Sequence, residues 1–283
     1  MLAVMSPELL AVSFALLSAI SWGAGDFSGG VASRRLSPYL TALLVHTTGL
    51  LLFTLLALLR GESFQPQDGP WSVGAGLAGF VGLVFLYRAF EAGQMGLASP
   101  VAGVVGAGLA ALLGFVLEGL PTPLQLLGLG LGLLGVWLAA RSEGGYNPSR
   151  GLVYAFLAGL GFGGYFALIN QVDGLFWPSA LAKLTAATLM LGMTWGAGLL
   201  RQGAGFTASL GLVGLAGILD AGGNLFFLVA AQAGRLDVAA TISSLYPAST
   251  TLLAWGLLGE HLGRSQTVGV LLSLVAIALI ASG

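Results

Sequence analysis

The 283-residue chain has no cysteine, one lysine and two histidines, and charged residues make up only 7% of it. Without cysteine there is no disulfide, no thiolate metal site and no catalytic thiol, and the redox compartment is not written in the sequence. An ordinary soluble domain is about a quarter charged, so a water-facing surface has nothing here to cover it. A net charge of −1 supplies no basic stripe, which argues against nucleic acid as a partner. Nothing in the composition calls for a cofactor or a metal.

What the chain has instead is apolar length. Hydrophobic residues reach 57% and the mean hydropathy is +0.95. A helix needs about 20 apolar residues to cross a bilayer. Ten runs approach or exceed that length: 8–30, 37–60, 71–93, 97–117, 122–141, 150–173, 177–200, 209–233, 237–259 and 264–282. Polar or Pro/Gly stretches such as ASRRLSP (32–38), RGESFQPQDGP (60–70) and RSEGGYNPSR (141–150) separate them. The runs are too long and too continuous for membrane strands, which alternate over about 10 residues. MLAVMSPELL at the start carries no basic segment, so its run reads as a first membrane helix rather than a cleaved signal peptide. The expected fold class is an all-α membrane protein with ten transmembrane helices and lipid as its solvent.

Two strings, EGLPTPLQLLG (118–128) and GEHLGRSQTVG (259–269), share a pattern. Gln125 and Gln266 stand 141 residues apart, as do Gly128 and Gly269, while Glu118 and Glu260 are 142 apart. Gly76, Gly82 and Gly93 reappear at the first of these offsets as Gly217, Gly223 and Gly234, and ALLSAISWGAG (15–25) is echoed by AFLAGLGFGGY (155–165). The chain therefore reads as two five-helix repeats, 1–143 and 149–283. An odd number of crossings returns the chain to the opposite face, so the second copy is inverted. Inverted repeats are a recurring plan for secondary transporters, with the substrate near the midplane where the repeats meet.

Ten helices in a five-plus-five repeat, Trp22-Gly23 in the first helix, and a glutamate followed by a polar turn, Gln and Gly are similar to the drug/metabolite transporter superfamily. The chain resembles its EamA-type bacterial exporters over essentially its whole length. The first copy departs from the pattern in reading Leu117-Glu118-Gly119 where the second has Gly259-Glu260. The resemblance implies a multi-pass protein of the inner membrane, a small-molecule substrate, and a cavity to which the first helix contributes.

Glu118 and Glu260 fall where the fourth and ninth helices end. A carboxylate there accepts hydrogen bonds from the free N–H groups opening the next helix and suits its positive dipole end. Pro121 and Pro123 fit a helix start, where no N–H is needed. Capping of the next helix is the first expectation for both glutamates, and a gate or hinge is the second.

Ionisable groups at membrane depth are costly and usually face a cavity or a partner. His46 and Asp220 lie near the centres of their runs, with Asn224 one turn beyond Asp220 on the same face. Lys183, the single lysine, lies about 7 Å from its helix midpoint. An aspartate in mid-bilayer takes up a proton or finds a cation, so Asp220 is a candidate for binding a substrate amine or exchanging a proton. Its alternative is a buried pair with Lys183, which in turn is a candidate anchor for a substrate carboxylate. His46 suits a proton-linked cycle, or else a bond across helices through Thr47, Thr48 or a carbonyl. Asp26, one turn beyond Trp22, is a further candidate on the first helix. Arg88 and Glu91, three apart, read as an intrahelical pair at the interface ahead of a gate.

Tyr246-Pro247 sits near the middle of the ninth run, where proline removes a helix hydrogen bond and frees carbonyls to line a cavity. Tyr246 would add an aromatic wall and a hydroxyl, joined by Trp22, Tyr87 and Phe162. Gly128/Gly132, Gly159/Gly163 and Gly192/Gly196 form small-xxx-small patches for close helix packing, for sliding, or for contact with a second copy as a homodimer. GLGLGLLG (128–135) lies inside an apolar run with no Lys-Ser/Thr after it, so it is no phosphate loop.

Orientation signals disagree. Loops after the odd-numbered helices carry Arg34, Arg35, Arg141, Arg150, Arg201 and Arg264 against Arg60 and Arg235 on the other side. By the positive-inside rule both termini lie outside the cytoplasm, whereas the resemblance implies that both lie inside.

The function expected is a secondary transporter of small metabolites, an exporter of amino acids or related compounds working by alternating access. Uptake of sugars or other small solutes is its alternative within the class. An intramembrane enzyme would need convergent nucleophile, base or metal ligands, and no HExxH or GxSxG pattern is present. A non-transporting scaffold is the remaining class, and inverted duplication has little use there.

Overall fold

A computed structural model describes residues 7–93, 95–118, 122–139, 141–142, 145–146, 150–169, 171–200, 205–233, 242–243 and 245–281. Ten helices run through them. The first repeat holds α1 (Pro7–Ser33), α2 (Pro38–Arg60), α3 (Gly69–Ala92), α4 (Met95–Glu118) and α5 (Pro123–Ala139). The second holds α6 (Arg150–Ile169), α7 (Phe176–Gly196), α8 (Gly205–Ala233), α9 (Tyr246–Leu258) and α10 (Arg264–Ala281). Five segments (Leu9–Ser33, Pro38–Arg60, Pro66–Ala92, Arg150–Ile169 and Ser209–Ala230) are long and apolar enough to span a bilayer by length and composition alone. Shorter apolar helices accompany them. Between the repeats, Arg141–Ser142 pairs with Gly145–Tyr146 as a minimal antiparallel ladder.

Local chemistry sets several helix ends. Ser37 caps α2 by accepting from the Leu40 N–H, Pro38 follows it, and Gly61 closes the helix in the left-handed region at φ 63°. Thr122 and Gln125 cap α5 reciprocally. The Gln125 N–H donates to Thr122 Oγ1 at 3.2 Å and the Thr122 N–H donates to Gln125 Oε1 at 3.0 Å. At α10 the Gly263 N–H donates to Gln266 Oε1 at 3.1 Å. The repeated glutamines thus take part in the local capping at both helix starts.

The repeats interleave rather than lie side by side. α1 packs most extensively on α8, and its counterpart α6 packs most extensively on α3. α9 joins the first pair and α4 the second, giving two related units, α1–α8–α9 and α6–α3–α4. α2 and α7 pair with each other and bridge the units, while α5 and α10 pair beside α4. Lipid gives helices no hydrophobic reason to associate, so contact relies on small residues and interhelical hydrogen bonds. Ser18 and Ser21 on α1 donate to the Gly223 and Leu219 carbonyls of α8 at 2.8 and 2.7 Å, and Thr250 of α9 donates to the Gly23 carbonyl at 3.1 Å. In the other unit a Cβ on Gly161 would stand 2.3 Å from the Gly82 nitrogen, so these two backbones touch directly. Gly159 and Gly163 likewise meet α4 at the Ala102 and Gly106 carbonyls. Gly192 and Gly196 meet nothing within 4 Å among the described residues, so their patch packs against none of the described helices. Exposed Leu59, Leu133, Trp195 and Leu257 face outward as a lipid contact requires.

The ninth run departs from expectation. Tyr246-Pro247 opens α9, with Pro247 in its first turn, Leu245 in a turn before it and Ile242 and Ser243 helical ahead of that turn; residues 234–241 and 244 lie outside the described residues. Proline needs no N–H there, so the break falls where it costs least.

Candidate functional site

A cavity holding about 650 Å³ of atom-free space, with the open solvent at its mouth included, lies between the two units. Trp22, Asp26, Asp220, Asn224 and Tyr246 form the wall from α1, α8 and α9. Gly76, Gly79, Leu83, Phe162, Tyr165 and Phe166 form the wall from α3 and α6. His46 of α2 and Lys183 of α7 complete the ring.

The structure brings together all seven residues expected to bind substrate or couple transport. Lys183 Nζ donates to Asp220 Oδ2 at 2.5 Å, so the buried pair forms, and both partners still face the cavity. Gly49 lies against the methylene stem of Lys183, leaving space for that long side chain beside α2. The Asn224 amide donates to its own helix at the Asp220 carbonyl, 2.8 Å away. Trp22 sits at the centre of an aromatic cluster, with Phe166, Phe227 and Tyr246 each about 6 Å away between ring centroids. Gly223 makes this fit, since a Cβ there would stand 2.4 Å from the indole.

Asp26 faces the cavity with no side-chain hydrogen bond or ion pair among the described residues. His46 is 4% exposed, and neither ring nitrogen has a partner among the described residues. The bond through Thr47 or Thr48 does not form, because those hydroxyls donate to the Leu43 and Leu44 carbonyls of their own helix. Leaving buried donors and acceptors unmatched costs about 1–3 kcal/mol.

Toward the face where α1 ends, called here the Arg34 face, the cavity stops at a packed floor. Tyr87, Phe90 and Met95 are no more than 1% exposed. They press onto Gly29 and Gly30 of α1, so Tyr87 is floor rather than wall. Beyond the floor lies Glu260, and its role differs from the one expected. It accepts from the Met95 and Gly96 N–H groups at 3.1 and 3.0 Å and from Arg34 Nη2 at 3.0 Å. It therefore caps α4, in the other repeat, rather than α10. The side chain of Glu118 lies outside the described residues. Arg88 and Glu91 do not form the expected pair. Arg88 donates to the Tyr39 hydroxyl at 2.7 Å and lies 4.9 Å from the centre of the Tyr154 ring, while Glu91 is exposed. Pro247 packs on α4 at Gly103.

Two acidic residues had escaped notice. On the opposite face, Glu62 accepts from the Leu175 and Phe176 N–H groups and Asp68 from those of Asp173 and Gly174, at 2.7 to 3.2 Å. Together they hold the start of α7. Their loop, RGESFQPQDGP, looks like mere punctuation, and no local pattern announces a partner over 100 residues away.

Ten membrane helices in inverted repeats around a polar, aromatic-walled cavity define a polytopic carrier of small solutes. A family model described as the EamA-like transporter family matches residues 9–141 and 149–282, and the chain belongs to that family. A solved structure covering 95% of this chain and 94% of its own has a TM-score of 0.58 at 19% identity, a likeness that shows the fold alone. A comparison with curated proteins returned no match.

Proposed function

We propose that the chain exports amino acids or related compounds across the inner membrane by alternating access, with the cavity as the substrate site. The supporting observation is that Asp26, Lys183 and Asp220 converge on one aromatic-walled chamber between the two repeat-built units. An amino acid carries one cation and one anion, and this chamber offers the complement of each. Its ammonium group finds Asp26, a carboxylate that no described side chain pairs with. Its carboxylate finds Lys183 once the pair with Asp220 loosens, or an N–H of His46. Trp22, Phe166 and Tyr246 receive the apolar side chain. Intramembrane charges cost enough that three in one cavity argue for a pathway. Alternating access follows from the repeats, since two related units exchange roles to open the chamber to each face in turn.

Counterflow in proteoliposomes tests this reading. Purified protein preloaded with an unlabelled amino acid mixture is expected to accumulate at least one labelled amino acid saturably. The matching amine and the matching carboxylic acid, each lacking one charge, exchange far more slowly. Folded protein that exchanges no amino acid, or that exchanges sugars instead, overturns the assignment.

A further inference from the structure

A solute in the cavity reaches the Arg34 face only if the floor parts, and this inference rests on the carrier reading above. The floor is where the two units touch. A Cβ on Gly29 would stand 2.1 Å from the Tyr87 hydroxyl oxygen, and one on Gly30 would stand 2.4 Å from the Phe90 ring. The two surfaces therefore mate closely at these glycines.

Outside the floor a single carboxylate ties the same units together. Glu260 lies in the turn between α9 and α10, and its side chain is 11% exposed. Its Oε1 accepts from the Met95 N–H and from Arg34 at the end of α1, while Oε2 accepts from the Gly96 N–H. Thr251 of α9 adds a bond to the Gly96 carbonyl at 3.1 Å. The first turn of α4, in one unit, is thus held by α1 and by α9 with its following turn, in the other.

The geometry points to Glu260 as the latch of a gate on the Arg34 face, released from the α4 amides each time the cavity opens there. Helix capping alone does not explain its position. Ser37 and Thr122 cap their helices from the adjacent residue. The other long-range cap, Glu62 with Asp68 on α7, joins α7 to the loop between its packing neighbours α2 and α3. Only Glu260 and Thr251, among these capping contacts, bond across the two units at the floor. The site also permits reversal. Arg34 is 36% exposed, so water reaches the carboxylate and the freed N–H groups as they separate, and protein hydrogen bonds are exchanged for solvent ones.

The natural absence of cysteine makes a direct test available. Ser33→Cys places a thiol at a fully buried position of α1 whose hydroxyl bonds the Tyr87 carbonyl at 3.5 Å. Ala158→Cys places one at a fully buried position of α6, inside the other unit, as a control. Labelling by a membrane-impermeant maleimide is timed in nanodiscs. Glu260→Gln is expected to speed labelling of the Ser33→Cys reporter about tenfold, the change that ~1.4 kcal/mol in the gate equilibrium produces. Glu260→Ala, which removes every acceptor, does so further, and Arg34→Gln, which leaves the amide bonds, does so less. The Ala158→Cys reporter keeps its slow rate throughout. Unchanged labelling at Ser33→Cys, or an equal rise at both reporters, overturns the latch. Should Glu260→Ala fail to fold, Glu260→Gln and Arg34→Gln still decide the matter. No substrate enters this measurement, so a failed counterflow assay and a failed latch are told apart.

Discussion

The Lys183–Asp220 pair separates a structural from a transport role when it is broken and then replaced. Its side chains are 8% and 24% exposed, so the ammonium is nearly dry and the carboxylate borders the cavity. Removing one partner of a buried pair leaves the other charge uncompensated, at about 3–5 kcal/mol, whereas replacing both is often neutral or stabilising. Asp220→Asn strands the drier partner and should cost the larger share of that range, about 3–5 kcal/mol. Lys183→Met strands a carboxylate that cavity water already reaches, and should cost less. The double variant is expected to regain most of the lost stability, as coupled neighbours do. Transport should not return with it, because the cavity then presents neither charge to a substrate. Thermal unfolding in detergent gives the stability arm, and counterflow in proteoliposomes gives the function arm. A double variant that recovers transport together with stability would show that the pair only holds α7 to α8, and the binding role would fall.

Two further outcomes follow from packing and burial. Gly223→Ala pushes a methyl group into the Trp22 ring at 2.4 Å and should cost about 1–3 kcal/mol as an overpacking change. Gly192→Ala, which meets nothing within 4 Å, should be neutral or gain up to about 1 kcal/mol from helix propensity; equal effects in thermal melts would contradict this account of helix contact. His46→Leu removes two unmatched buried nitrogens and should raise stability by about 1 kcal/mol or more while lowering counterflow. If it melts earlier than the parent, a polar role for His46 in the fold has been overlooked.

Nine of the ten helices were legible from apolar runs to within a few residues, because lipid demands continuous apolar length and punctuation marks its ends. The ninth differs in that Tyr246-Pro247, which falls inside the run 237–259, stands at the start of α9, because hydropathy does not register where a proline opens a helix. The cavity residues were legible for the same reason that makes them costly: Asp26, His46, Lys183 and Asp220 stand out against hydrocarbon. Their partners were not. Glu260 bonds amides some 165 residues away, and Arg88 passes over Glu91, three residues on, for Tyr39, which lies 49 residues back. Sequence spacing governs contact along one helix, and these contacts run between helices that the repeats interleave. Tyr165 and Phe166 line the cavity without any polar mark to single them out. The Thr122–Gln125 box follows a recognisable local pattern, of which the second repeat keeps the glutamine but not the hydroxyl.

Interleaving also orders biosynthesis. α1 enters the bilayer long before α8 is translated, so the hydroxyls of Ser18 and Ser21 wait in lipid for carbonyls of Leu219 and Gly223 that the ribosome has not yet made. Asp26 and His46 are likewise inserted ahead of Lys183 and Asp220, with which they share the cavity. The interhelical bonds of the amino-terminal half are therefore made only once most of the chain has been synthesised.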